Sequence, residues 1–162
     1  MSGLAEVTLS SGLTRRSSGT RPEAGEPLNF TLYICNMNNL EENNKIAANI
    51  QEYGWHCLHI FPTSDDHEQF SYTIGFTESY GSPEIMVFGL NREKSHALLN
   101  ECAQLLRSGH KFCAGVKDNS VLSGSYNVVF KSVHAQYFNE YLGTAVRYFK
   151  EKPFEAMVMF LP

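Results

Sequence analysis

The stretch FSYTIGFTESYGSPEIMVFGL, Phe70 to Leu90, leaves the chain the fewest options. Phe70, Tyr72, Ile74 and Phe76 alternate with Ser71, Thr73 and Gly75, the period of two expected of a half-buried strand. Glu84 to Leu90 is a second apolar run, so the two form a strand pair across a link too short for a parallel crossover. The link carries Thr77, Glu78, Tyr80 and Gly81. It is either a reaction site or a turn.

Around this pair, 162 residues are enough for one domain with its own core, and 43% hydrophobic against 19% charged residues is a globular balance. A net charge of -4 provides no basic field to collect phosphate backbones, so nucleic acid is not an expected partner. No apolar run is long enough to span a membrane, and none is expected to meet one. Cys35, Cys57, Cys102 and Cys113 are widely spaced with no C-x-x-C, which suits reduced thiols in a cytoplasm. Residues 1–27, rich in Ser, Gly, Thr and Pro, bury too little to offset ordering entropy and are expected to form a disordered tail. Residues 28–162 are the expected globular domain.

Within that domain, Asn39 with Glu42 three positions on reads as a capping box. It opens a helix that carries Ile46, Ile50 and Tyr53 and closes at Gly54. WHCLHIF, Trp55 to Phe61, is apolar on both faces and predicts a central strand. Asn91 caps a second helix with Leu98, Cys102 and Leu105 as its stripe, widened by Leu99 and Leu106. A strand at Tyr126 to Lys131 follows. Ser132 then caps a third helix with Phe138, Tyr141, Leu142, Ala145 and Phe149 on its apolar face. Pro153 ends it before a last strand, Phe154 to Leu161, with Glu155 near the sheet edge. The sum is an α+β fold: a mostly antiparallel sheet or partly open barrel with about three helices packed against it.

Gly54-Trp55-His56, Phe70-Ser71-Tyr72-Thr73-Ile74-Gly75, Ser82-Pro83-Glu84 and Phe88-Gly89-Leu90 before a helix occur in an order that resembles the bacterial family named domain of unknown function 4262. The resemblance covers about Leu40 to Leu161. It departs at Phe76, where Leu is usual, and at Ser82, where a His or similar residue is common. What it implies is a small soluble bacterial domain, with no reaction attached.

The residues themselves offer candidate ligand-binding positions rather than a catalytic constellation. His56, Tyr72, Thr73, Glu78 and Glu84 converge on one end of the 70–76/84–90 pair. In one reading Glu78 or Glu84 is a base or orienting acceptor, and backbone amides near Gly75 and Gly81 receive an anion. In the other Tyr72 packs, Thr73 suits a strand, Gly81 and Pro83 shape a turn, and Glu84 accepts from nearby backbone amides. His56 and His59 lie three apart on a strand, facing opposite ways, so they do not share a metal; His59 reads as a hydrogen-bonded core residue. Asp65, Asp66, His67 and Glu68 crowd one loop but match no calcium-loop spacing. Ser95 and His96, adjacent on a helix, point about 100° apart and make no nucleophile–base pair. No cofactor motif is present, and no metal or cofactor is expected.

The expected function is therefore a non-enzymatic protein-binding module, such as an inhibitor or immunity protein whose partner is a toxin or effector. One alternative is a flavin- or nucleotide-like pocket protein or enzyme at the end of the strand pair. Another is a secreted effector delivered through its Ser-rich tail.

Overall fold

The computed structural model describes residues 30–61 and 68–162, with side chains from Met37 onward in the first helix. The Ser-rich segment and the Asp65–His67 part of the acidic loop lie outside the described residues.

The elements run in the order α1 (Phe30–Tyr53), β1 (His56–Ile60), β2 (Phe70–Ile74), α2 (Phe76–Tyr80), β3 (Glu84–Phe88), α3 (Arg92–Arg107), β4 (Lys117–Asp118) and β5 (Val128–Ser132). A 3-10 turn (Ala135–Tyr137), α4 (Phe138–Tyr141), α5 (Gly143–Phe149) and β6 (Ala156–Phe160) complete them. The six strands form one open sheet in the order β1-β2-β3-β6-β5-β4. Every pair is antiparallel except β3 with β6, which run parallel with Glu84 opposite Ala156 and Met86 opposite Val158. The fold is α+β as the sequence implies, mostly antiparallel and not closed.

Alternation along the strands divides the core between two faces. On one face α3 packs Leu99, Cys102 and Leu106 against Ile85, Val87, Phe130 and Met157. On the other, Ile46 of α1 and Ala145 and Phe149 of α5 meet Tyr72, Ile74 and Met86. The stripe of α3 is thus centred on Leu99, Cys102 and Leu106, with Leu98 and Leu105 at its margin. Asn91 caps this helix as expected: its Oδ1 accepts from Lys94 N at 2.9 Å.

Several placements differ from the sequence reading. β1 is an edge strand, not a central one. Helices cover it on both faces and leave all five residues half-buried, so its apolar pattern reports coverage rather than centrality. Conversely β6, expected to bring Glu155 near an edge, fills the interior between β3 and β5. Asn39 does not open α1, because the run from Phe30 belongs to the same helix, where an interior Asn costs only a few tenths of a kcal/mol, ~0.7 at most. Tyr53, expected in the apolar stripe of α1, is 53% exposed. The expected third helix is broken into the 3-10 turn, α4 and α5. Ser132 ends β5, and it is His134 that accepts from Gln136 N to open the turn.

Candidate functional site

The link between β2 and β3 is neither an open loop nor a cleft but a helix of five residues, α2. Gly75 precedes it at φ 115° and Gly81 follows at φ 61°, both left-handed conformations that suit glycine. So short a helix leaves the amides of its first turn, more than half of those it has, without intrahelical partners. Glu84 supplies what is missing. One of its carboxylate oxygens, Oε1, accepts from Gly75 N at 3.1 Å and Thr77 N at 3.0 Å; the other, Oε2, accepts from Phe76 N at 3.2 Å and Thr73 Oγ1 at 2.7 Å. Thr73 Oγ1 in turn accepts from Ile85 N at 2.9 Å, which ties the strand pair to the clamp.

Glu84 and Thr73 are both fully buried. Burial pushes the Glu84 carboxyl up to about 7, against the pull of the Thr77, Thr73, Gly75 and Phe76 donors that favour its charged form. Its hydrogen-bonding capacity is directed at α2. The local packing is equally close: a Cβ on Gly75 would stand 2.7 Å from Ile50 Cγ1, and one on Gly54 2.5 Å from the Tyr80 hydroxyl. Trp55 lies beside this corner, its ring 5.6 Å from Phe76 and stacked 5.5 Å from His96.

The five candidate residues therefore do not share one site. Thr73 and Glu84 form the clamp. Glu78 points outward from α2, accepting from Lys152 Nζ at 3.0 Å and Tyr148 Oη at 3.3 Å, and so tethers α2 to the end of α5. Tyr72, next to Thr73 on a strand, necessarily faces the other way and is buried in the α1/α5 layer. Burial pushes its phenol up to about 12, with partial relief from Thr144 and Ala145.

His56 belongs to a different feature, a groove of about 840 Å³ along the free side of β1. Its strand floor presents His56, Cys57 and His59. One wall is α1, through Lys45, Asn49 and Tyr53; the other is α3, through Arg92, His96 and Asn100, with Glu93 beside them. Asn49 Nδ2 lies 2.7 Å from His56 Nδ1, and His59 Nδ1 lies 2.7 Å from Ser71 Oγ. Both histidines are held below their ordinary range: His56 by burial and then Lys45, His59 by burial and then Arg92 and His96. Burial pushes the Cys57 thiol up to about 12, so it stays protonated and is no nucleophile. Among the described residues, no group of three His, Cys, Asp or Glu side chains is placed to hold a metal ion.

Of this groove the sequence reading takes only His56 as a ligand candidate; it reads His59 as a hydrogen-bonded core residue and sets His96 aside as no partner for Ser95. The walls were nevertheless written in the spacing: Lys45, Asn49 and Tyr53 recur every four residues on one helix, and Arg92, His96 and Asn100 do so on another. Two polar stripes facing one strand edge are a surface signal that a search for catalytic motifs passes over.

His110, Asp118 and Ser120 make a cluster of triad composition but not triad geometry. Asp118 Oδ2 at 2.7 Å and Ser120 Oγ at 3.3 Å meet the same nitrogen, Nε2, so the histidine cannot relay between them. The contacts pin a loop.

With the geometry in place, a family model described as Domain of unknown function (DUF4262) matches residues 49–162. The chain belongs to the DUF4262 family. The DUF4262 match begins inside α1 and takes in all six strands, including the Thr73–Glu84 clamp and the strand floor of the groove. No curated protein and no solved structure matches the chain. No helix among the described residues is long and apolar enough to cross a membrane.

Proposed function

We propose that the protein is a non-enzymatic binding module that takes up an extended segment of a partner protein on the free edge of β1. The observation that carries this reading is the groove itself. Among the described residues no strand pairs with the outer side of β1, whose unsatisfied N–H and C=O groups are a template for one more strand. HCLHI lacks the Lys or Pro that commonly blunts an edge, and helices α1 and α3 wall it into a channel. An inhibitor or immunity protein for a toxin or effector in a bacterial cytoplasm needs such a surface and no reaction centre. The free thiols of Cys57, Cys102 and Cys113 suit a reducing compartment.

Hydrogen exchange on the full chain, alone and bound to a partner captured from the source cell, tests this. Slowed exchange of the amides of β1 is the expected result. Protection confined to the apolar groove formed by Leu98, Val121, Leu122, Tyr126 and Leu161, with β1 unchanged, would show that partners dock elsewhere.

A further inference from the structure

We infer that the segment accepted by β1 is acidic, with carboxylates on both faces of the incoming strand. The inference rests on strand addition at β1 and deepens it by naming the partner's chemistry.

The whole chain carries a net charge of -4, yet the groove collects cations. Lys45 stands on the α1 wall and Arg92 on the α3 wall, with His56, His59 and His96 between them and Glu93 the one carboxylate in the lining among the described residues. Glu42 lies near His56 but is paired with Arg147 of α5. Around His59 the charged neighbours that act on it are Arg92 and His96, both of which oppose its protonation after burial has done so. Among the described residues the lining thus sets two full cations, Lys45 and Arg92, and three histidines against the single carboxylate of Glu93, and a carboxylate entering the groove would meet this excess of donors and positive charge.

The geometry also sets a pattern. Successive side chains of an added strand point to opposite faces. One set meets the α1 wall, where Lys45 and His56 wait; the other meets the α3 wall, where Arg92 and His96 do. Neutral imidazoles and the Asn49 and Asn100 amides donate hydrogen bonds to carboxylates as well, so recognition does not depend on protonating every histidine. An Asp- or Glu-rich extended segment therefore finds a donor on each side, whereas a Lys-rich one meets like charge on both.

Fluorescence anisotropy of the full chain with three labelled β-prone peptides of equal length, one acidic, one neutral and one basic, tests the inference. The acidic peptide is expected to bind about tenfold tighter than the neutral one, its advantage shrinking as salt rises. Arg92→Gln, at an exposed position, is expected to remove most of that advantage while circular dichroism stays unchanged. Equal binding of acidic and neutral peptides would overturn the acidic preference and leave strand addition standing. An acidic peptide N-methylated along one edge that binds as well as its parent would overturn strand addition and reduce the groove to an anion site. Failure of every peptide to bind would overturn both. A single-stranded oligonucleotide that binds as tightly as the acidic peptide would overturn the choice of a protein partner.

Discussion

The clamp at Glu84 and the groove along β1 treat polarity in opposite ways. At the clamp a fully buried carboxylate meets four donors, from Thr73, Gly75, Phe76 and Thr77, and has no solvent-facing role left. In the groove the polar groups of the floor are half-buried and most of those on the walls are exposed, the cations Lys45 and Arg92 face one carboxylate, Glu93, among the described residues, and the strand beneath them has one unpaired side there. A buried polar group whose partners are all internal fixes a backbone; a solvent-facing one whose partners are incomplete is available to something else. Both lie around the same family motif, so the motif alone does not separate them.

The largest effect that would break this contrast is at the clamp. Glu84→Ala leaves the Thr73 hydroxyl and the Gly75, Phe76 and Thr77 amides without their acceptor; it is expected to cost about 3–5 kcal/mol in urea unfolding, or to prevent folding. A loss below about 1 kcal/mol would mean that water reaches the site and that the clamp is not structural. Next comes Gly75→Ala, which places a Cβ against Ile50 at a φ of 115° and is expected to lower stability by about 2 kcal/mol.

A pH series sharpens the contrast further. The folded-state pKa of Glu84, about 7, lies above its ordinary 4.5, so the folded protein holds the extra proton between those values. Stability from this group is therefore fully present below pH 4.5 and is lost as pH rises through 7. The depressed His56 and His59 run the other way: what they contribute is present above 6.5 and lost as pH falls. Subtracting the urea-midpoint profile of Glu84→Gln from that of the native chain isolates the carboxylate, and the difference is expected to shrink between pH 5 and 8. A flat difference would mean that the carboxyl titrates as an exposed one does. The smallest effect belongs to the groove, where Arg92→Gln is expected to change stability by no more than about 0.5 kcal/mol while weakening capture of an acidic segment.

The two regions were unequally legible in the sequence. The alternation from Phe70 to Ile74, the Asn91 cap and the acceptance of backbone amides by Glu84 are local matters, set by residues close to one another along the chain, and each is visible from spacing. Strand order is not local. Trp55 to Phe61 shows that both faces are covered, but no periodicity distinguishes a neighbour strand from a helix wall, so an edge was read as a centre. The groove suffered twice, because its floor was misplaced and its walls come from helices separated by three strands. Tyr72 and Thr73 were brought together by adjacency, although adjacency on a strand means opposite faces.

The parallel pairing of β3 with β6 bears on how the molecule assembles. The strands β1 to β3 can pair as soon as they exist, and β4 with β5 likewise, but these are two separate ribbons until β6 slides between them. The strand that joins the halves follows both of them in the chain, so the sheet is completed through pairings of long sequence separation, Glu84 with Ala156 among them. Until that moment the inner edges of β3 and β5 are both open, and a stalled or shortened chain would offer neighbouring molecules a place to insert a strand of their own.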